Sequence, residues 1–181
     1  MASEATQSYL FKVIICGDYA VGKTSLVRRF STGTFSYDYK TTLAVSFVKT
    51  EVSIEGFHID LSIWDTAGQE RFEKMRKEYY KNAKAVIFVY DLTRPESYHH
   101  IEKRWKPEVD SAVQGYTTIL IGTKADLAEQ RVVTTRSGED LARRIDATYY
   151  ETSALTGANV EKAFHSLAQL LLTKTLTKPK E

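Results

Sequence analysis

The sequence is short of several features that would place it in a specialised class of protein. Its single cysteine, Cys16, excludes an internal disulfide and any cysteine-based metal site. No apolar run approaches the ~18 residues of a membrane span, and the N-terminus lacks the charge and apolar stretch of a signal peptide. A net charge of +2 gives no electrostatic case for nucleic acid as the main partner. We therefore expect a cytoplasmic protein, with flexible ends at 1–8 and 175–181 around one domain at 9–174.

Strand-like and helix-like segments alternate along the chain. Apolar or alternating runs predict strands at 10–16, 45–53, 57–64, 84–91, 118–122 and 148–152. Helical periodicity predicts helices over 23–31, 96–113 and 136–145, and a last helix with one apolar stripe of Val160, Phe164, Leu167 and Leu171. This alternation favours an α/β fold with a mostly parallel six-stranded sheet and helices on both faces. A hairpin around Glu55-Gly56 adds one antiparallel edge strand.

Polar motifs follow the predicted strands. Where the first, third, fourth, fifth and sixth strands end, the chain carries Gly17, Asp65, Asp91, Thr123 and Ser153. Ligands of parallel α/β sheets bind beyond the carboxyl ends of the strands. We therefore expect these residues to share one site.

The segment GDYAVGKTS at 17–25 matches the phosphate-binding loop G-x-x-x-x-G-K-[ST]. Such a loop turns backbone N–H groups inward, and the following helix adds the positive end of its dipole. We expect Lys23 to bring a charge to the β- and γ-phosphates and Thr24 to bring a hydroxyl to Mg²⁺. The alternative is a glycine-containing turn that matches by chance, and the strand before it and the helix after it weigh against that. The predicted nucleotide contacts are Asp18, Tyr19, Ala20, Val21, Gly22, Lys23, Thr24 and Ser25.

The segment WDTAGQERF at 64–72 carries the second signal. Asp65 would hold the metal through a water, although an acidic residue at a strand end is often only a cap. Gly68 can bring its N–H against a terminal phosphate because no side chain stands in the way, and Gln69 could orient a water for in-line attack. The predicted catalytic residues are therefore Gln69, Lys23 and Gly68.

The segment IGTKAD at 121–126 is the third signal. The Asp126 carboxylate can accept hydrogen bonds from the N1–H and the exocyclic amine of guanine, a pair that adenine cannot supply. Lys124 can lay its aliphatic stem over the base. The alternative is a solvated pair of loop charges.

Together these segments resemble a small GTPase of the Ras superfamily, a P-loop NTPase with a Ras-like G domain, over about residues 9–173. The Rab branch is the most similar, through DLSIWDTAGQERF at 60–72, YYKNA at 79–83 and FVYDLT at 88–93. The resemblance implies bound GDP or GTP with Mg²⁺, and a molecular switch in membrane trafficking or cytoskeletal signalling.

The resemblance also implies roles for single residues. Thr42 matches the switch I threonine that ligates Mg²⁺ when the γ-phosphate is present, so the implied metal ligands are Thr24, Thr42 and Asp65. Phe35 matches the aromatic that packs edge-on to guanine, and Tyr39 the tyrosine that can close over the γ-phosphate. The base-binding set is Thr123, Lys124, Asp126, Ser153, Ala154 and Leu155, with the Ala154 N–H meeting the base carbonyl.

Partners are implied in the same way. Phe47, Trp64 and Tyr79 match an aromatic triad that bridges the two switches and faces effectors, although three plain core aromatics are the alternative. GTPase-activating and nucleotide-exchange proteins are further implied partners, and a monomer is expected. The family usually ends in prenylated cysteines, whereas this sequence ends TLTKPKE. Either the chain was cut before the tail or the protein lacks a lipid anchor, so peripheral membrane contact is expected only if a cysteine tail exists.

Several positions depart from the Rab pattern. Thr123 replaces the usual Asn that ties the base loop to the phosphate loop, and Leu155 replaces the usual Lys; both are Rho-like choices. Ala44 and Ser46 replace a Gly and an acidic residue of switch I, which leaves the effector open.

Tyr19 departs furthest, because the family usually places Gly or Ser there. A side chain at this position points toward the γ-phosphate and Gln69, and a large one should crowd the transition state more than the ground state; the ring could also turn outward. We expect hydrolysis at or below the ~10⁻⁴ per second of an isolated Ras protein, with Arg71 only a weak internal arginine finger. A GTP-dependent binding module that hardly hydrolyses is the alternative function. An ATPase is a third, against which Asp126 argues. His99-His100 are expected to face solvent.

Overall fold

The computed structural model describes residues 7–37, 42 and 45–177. Within them, a six-stranded sheet lies between two layers of helices. Tyr39 and Ala44, about which the sequence made predictions, lie outside the described residues, as do 1–6 and 178–181.

The sheet confirms the predicted α/β class. Its strands are Ser8–Cys16 (β1), Val45–Ile54 (β2), Phe57–Thr66 (β3), Ala85–Asp91 (β4), Thr117–Thr123 (β5) and Thr148–Glu151 (β6). Their order is β2-β3-β1-β4-β5-β6, and among the described residues only the β2–β3 pair is antiparallel. The β2–β3 turn has φ of 50° at Glu55 and 85° at Gly56, as in the two-residue turns that follow the twist of a hairpin.

The first strand differs from its prediction. It begins at Ser8 rather than at residue 10, because the pairing with β3 already starts at Ser8 and His58. Its first half is not buried, since Leu10 is 66% exposed, whereas Val13 to Cys16 are fully buried. Cys16 packs in the core as a small apolar side chain, and burial raises the pKa of its thiol.

The described part of the chain contains six α-helices, of which the last follows the final strand. They are Lys23–Thr32 (α1), Glu73–Tyr80 (α2), Pro95–His100 (α3), Lys106–Asp110 (α4), Thr135–Arg144 (α5) and Val160–Leu176 (α6). Short 3₁₀ turns cover Glu70–Phe72 and Ala128–Gln130. The predicted stripe of α6 is confirmed, because Val160, Phe164, Leu167 and Leu171 are all buried.

The prediction of a single helix over 96–113 is wrong at the centre and at the end of this range. Ile101–Trp105 form a π-helix between α3 and α4, in which the Lys106 N–H donates to the Ile101 carbonyl. Pro107 has no N–H to donate, which weakens the regular α-helical pattern at this point. The π-turn buries both Ile101 and Trp105 completely. The segment ends at Asp110, three residues before the predicted end.

The core has two halves, one on each face of the sheet. One half includes side chains of α1 and α6, and the other includes side chains of the α3–α4 segment and α5. The sheet edge formed by the carboxyl ends of the parallel strands is left for the loops that carry the motifs. Among the described residues, no helix has the length and apolar character needed to cross a bilayer.

Candidate nucleotide-binding site

Two glycines shape the loop between β1 and α1. A Cβ at Gly17 would lie 2.1 Å from the Val89 carbonyl oxygen, so a side chain there would collide with β4. Gly22, the N-cap residue just before α1, has φ of 98°, a conformation that residues with side chains rarely adopt. The loop can therefore wrap tightly against the sheet only with glycine at both positions.

A cavity of ≈ 30 Å³ lies between this loop and the segment after β3. Lys23 is buried, and its Nζ donates to the carbonyls of Gly17 at 2.8 Å and Asp18 at 2.9 Å. Burial lowers the pKa of Lys23, and the charge of Asp65 opposes that shift. The cavity is lined by Tyr19, Ala20, Gly22, Lys23, Thr24, Ser25, Thr42, Thr66, Ala67 and Gly68. Eight of these ten are predicted site residues.

Three oxygen-bearing side chains meet beside Lys23. The Thr24 hydroxyl donates to Asp65 Oδ2, and the hydroxyl oxygens of Thr24 and Thr42 are 2.9 Å apart. Asp65 is 2% exposed, and its Oδ1 has no hydrogen-bond partner among the described residues. Burial raises the pKa of Asp65, while Lys23 opposes the shift. A buried, partly unsatisfied carboxylate beside two hydroxyls suits a hard cation such as Mg²⁺, which prefers oxygen ligands.

Gly68 packs directly on the phosphate loop. A Cβ at this position would lie 2.4 Å from both the Asp18 carbonyl carbon and the Tyr19 nitrogen. The next residue, Gln69, lines a groove of ≈ 860 Å³ together with Tyr19 and Gly68. The backbone of this segment is held in place by Arg76, which donates to the carbonyls of Ala67 at 3.0 Å and Gln69 at 2.6 Å.

Arg76 was missed by the sequence analysis. It is 1% exposed and makes two hydrogen bonds of 2.8 Å to the Glu108 carboxylate, which also accepts from the Tyr80 hydroxyl. Burial lowers the pKa of Arg76, but the hydrogen bonds and charges of Glu108 and Tyr80 together outweigh it, and the net shift of the pKa is upward. A signal did exist, since Glu108 shares a helical face with Ile101 and Trp105, and a charge there needs a buried partner.

The side chain of Asp18 faces α3 and not the phosphate cavity. Its two oxygens lie 2.7 Å from His100 Nδ1 and 2.8 Å from Trp105 Nε1. His99 is exposed as expected, whereas the His100 side chain is 44% exposed and also contacts the phosphate loop through Asp18. Tyr19 is 42% exposed and lines both the phosphate cavity and the groove of Gln69.

A larger cavity of ≈ 400 Å³ adjoins the first. The two cavities share Ala20, Gly22 and Ser25 as lining residues. Phe35 packs edge-on against Tyr37, with 5.1 Å between ring centroids; Tyr37, 82% exposed, was not predicted. The second cavity is lined by Ala20, Gly22, Ser25, Phe35, Tyr37, Thr123, Lys124, Asp126, Leu127, Ala154 and Leu155.

Side-chain contacts fix the loops around this second cavity. The Ser153 hydroxyl donates to Asp126 Oδ1 at 2.5 Å, and Lys124 Nζ lies 2.5 Å from the buried Asp91 carboxylate. The Thr123 hydroxyl lies 2.6 Å from the Val21 carbonyl. Threonine thus makes the tie to the phosphate loop for which the family usually employs Asn. Val21 contributes this carbonyl, while its side chain is buried in the core.

Comparisons with known proteins agree with this geometry. A model of the Ras family matches residues 12–173. Ras-related protein Rab-1 of Theileria parva is 43% identical over 172 residues, which cover 94% of this chain and 78% of the relative. Human Ras-related protein Rab-15 is 40% identical over 164 residues, 90% of this chain and 77% of the relative. Ras-related protein RIC1 of Oryza sativa subsp. japonica is 41% identical over 172 residues, 94% and 85%.

The chain belongs to the Ras family. It is a Rab-like small GTPase, as the resemblance of its motifs predicted.

The GTPase has a further contact at the base end that sequence reasoning missed. Arg29, on α1, donates to the carbonyls of Ala154 at 2.6 Å, Leu155 at 2.5 Å and Gly33 at 2.6 Å. One side chain therefore joins the helix after the phosphate loop to the loop after β6. No local pattern marks Arg29, because two of its three partners, the Ala154 and Leu155 carbonyls, are more than a hundred residues away in the sequence.

The three aromatic residues of the GTPase lie side by side on the β2–β3 face. Trp64 contacts Phe47 and Tyr79, with ring centroids 5.5 and 5.6 Å apart. Phe47 is 54% exposed and the other two are half-buried. Phe47 is therefore not a core side chain, whereas Trp64 also packs against the core.

Proposed function

We propose that this GTPase is a molecular switch in membrane trafficking that binds GDP and GTP with Mg²⁺ and hydrolyses GTP slowly. One observation carries the proposal: the phosphate cavity and the base cavity share Ala20, Gly22 and Ser25, with Lys23 in the first cavity and Asp126 in the second. A single nucleotide can therefore reach both. Asp126, held by Ser153, selects guanine by its hydrogen-bonding pattern.

Within this proposal, Thr24, Thr42 and Asp65 hold the metal ion, which supplies positive charge to the phosphates. Lys23 and the loop N–H groups stabilise the charge that develops during phosphoryl transfer. Gln69 orients the attacking water. Thr42 and Gly68 contact the γ-phosphate of bound GTP. Hydrolysis removes these contacts and releases the two segments that carry Thr42 and Gly68.

The aromatic surface of Phe47, Trp64 and Tyr79 is the proposed contact for effectors. It spans β2, β3 and α2, so it adjoins both segments that respond to the γ-phosphate. Large exposed aromatic side chains are typical anchors of protein interfaces.

Calorimetry on nucleotide-stripped protein tests the proposal. GDP and GTP should bind in the presence of Mg²⁺ and more weakly with a chelator, and ATP should give no comparable heat. GTP added to the protein should become GDP over hours. Absence of GDP and GTP binding in the presence of Mg²⁺ would contradict the proposal, and binding of ATP instead would favour the ATPase alternative.

A GTP-dependent binding module with little hydrolysis is the second candidate, favoured by the place of Tyr19. Its side chain lines both the phosphate cavity and the groove that holds Gln69. A ring there crowds the transition state more than the bound ground state. Single-turnover hydrolysis of Tyr19→Gly should therefore be faster than that of the parent, with GTP affinity unchanged. Equal rates, with and without an activating protein, would rule out an inhibitory role for Tyr19.

A further inference from the structure

Arg94 lies at the outer edge of the phosphate loop. Its Nη2 donates to the Tyr19 carbonyl oxygen at 2.7 Å. It also lines the groove of ≈ 860 Å³ that contains Gly68 and Gln69. A cation is therefore fixed on the backbone of the loop beside the predicted water-positioning residue.

The backbone around Arg94 is well held. Its N–H donates to the Asp91 carbonyl at 3.0 Å, and its own carbonyl accepts from the Ser97 hydroxyl at 2.7 Å. Arg94 precedes Pro95, the first residue of α3, whose ring fixes the direction of the chain. The side chain thus extends from a rigid strand-to-helix connection.

The Tyr19 carbonyl belongs to the same peptide unit as the Ala20 N–H. Because this peptide is trans and planar, its C=O and N–H point in opposite directions. The carbonyl faces Arg94 on the outside, while Ala20 lines the cavity on the inside. Among the described residues, no backbone hydrogen bond of the loop uses the Ala20 N–H.

A guanidinium on the carbonyl oxygen strengthens the dipole of the peptide. Hydrogen bonds in a chain polarise one another, and those with a charged partner do so most. The Ala20 N–H then carries more positive charge toward the phosphates. Ala20 has φ of 62°, a strained conformation for a residue with a side chain, so an external contact that holds the peptide also fixes its orientation.

We propose that Arg94 is a positioning residue for GTP hydrolysis, which orients and polarises the Tyr19–Ala20 peptide so that the Ala20 N–H stabilises charge on the transferring phosphates. This inference rests on the proposed function. It assigns to the chain an internal cation at the loop, in place of Arg71, the weak candidate from the sequence. Fixed donors aimed at developing charge favour the transition state over the bound substrate.

The test compares the parent with Arg94→Ala, Arg94→Lys and the control Lys103→Ala, which removes an exposed charge from the same helical segment. In single-turnover hydrolysis with Mg²⁺, Arg94→Ala should be slower by about 3- to 10-fold, less than the loss of a whole donor. Arg94→Lys should recover part of the rate, because an ammonium can still donate to the carbonyl. Lys103→Ala should match the parent.

A second readout follows the peptide itself. In the amide NMR spectrum of the GDP-bound protein, the Ala20 N–H signal should move upfield in Arg94→Ala and stay in place in Lys103→Ala. A lower rate with an unmoved Ala20 signal would overturn the peptide route, and a moved signal with an unchanged rate would overturn the role in hydrolysis. If the parent binds no GDP, both the proposed function and this inference are wrong. If the parent binds GDP but hydrolyses GTP no faster than Arg94→Ala, only the inference is wrong.

Discussion

At the phosphate end of the site, residues 17–25 supply most of the lining from one continuous loop. At the base end, the lining comes from three separate segments, at 35–37, 123–127 and 154–155, in addition to the shared loop. The first end is built mainly from backbone groups whose direction the strand–loop–helix connection sets. The second depends on side chains that tie distant segments together.

This difference affects how the two ends should fail. The Thr123 hydroxyl reaches the Val21 carbonyl, and Arg29 reaches the carbonyls of Ala154 and Leu155. Loss of one tie should loosen the base loops and leave the phosphate loop in place. Loss of a phosphate-loop residue should weaken every nucleotide without changing the preference among bases.

The largest effect is expected for Lys23→Ala. The substitution removes a buried charge from the phosphate cavity, and hydrogen bonds to charged groups contribute about 1.5–3 kcal/mol each. The Kd for GDP should rise by about 10²- to 10³-fold, with the preference for guanine retained. Calorimetry with GDP and xanthosine diphosphate measures both quantities. Lys162→Ala, on the exposed face of α6, is the control and should bind as the parent does.

Asp126→Asn should weaken binding at the base end of the site. The amide cannot accept both guanine hydrogen bonds, whereas the altered donor pattern of xanthine suits it. We expect GDP to bind about 10²-fold more weakly and xanthosine diphosphate to bind more tightly than to the parent. Asp146→Asn, at an exposed position with φ of 52° that tolerates Asn, is the matched control. Unchanged GDP affinity in Asp126→Asn would show that the base is held elsewhere.

The same contrast explains what the sequence could predict. The phosphate loop, the alternation of strands and helices and the order of the motifs are local patterns, so Gly17, Lys23, Thr24 and Asp65 could be placed from spacing alone. The first residue of β1 could not be predicted from the sequence, because it depends on the pairing of this strand with β3.

Contacts that depend on three-dimensional packing were missed. The π-helix at Ile101–Trp105 ends with Trp105 on Asp18, beside the contact of Asp18 with His100, and no periodicity of the sequence shows such a change of helical register. Arg29 and Arg94 are ordinary basic residues in the sequence, and only the fold reveals that they donate to backbone carbonyls of the site.

Arg29→Ala should have an intermediate effect, confined to the base end. The variant leaves the Ala154 and Leu155 carbonyls without their guanidinium donor, so the loop that faces the base becomes less fixed. GDP should dissociate about 10-fold faster, the equivalent of about 1.4 kcal/mol. Arg29→Lys should restore part of the lifetime, whereas Arg28→Ala, the neighbouring control, should not change it. Release of a fluorescent GDP analogue measures these rates, and an Arg29→Ala rate equal to that of the parent would show that the loop needs no such tie.

The smallest effect concerns the strand below the base loop. Glu151, the last residue of β6, pairs with Arg131 through Oε2 at 2.8 Å. Burial raises the pKa of Glu151, but the hydrogen bonds from Arg131, Tyr149 and Thr135 and the charge of Arg131 together outweigh it, so the pKa lies below its usual 4.5. A lowered carboxyl pKa contributes stability above the unfolded value, and this contribution is lost as the pH falls through the folded value.

Glu151→Gln should therefore lower the free energy of unfolding at pH 7 by about 0.5–1 kcal/mol, a modest figure because solvent screens a partly exposed pair. The difference from the parent should shrink as the pH falls below about 4.5, since the parent then loses the same charge. Urea denaturation at pH 7 and at pH 4 measures both values. Glu139→Gln, an exposed carboxyl on α5, is the control. A difference that stays constant across this pH range would mean that Glu151 stabilises the strand through packing rather than through its charge.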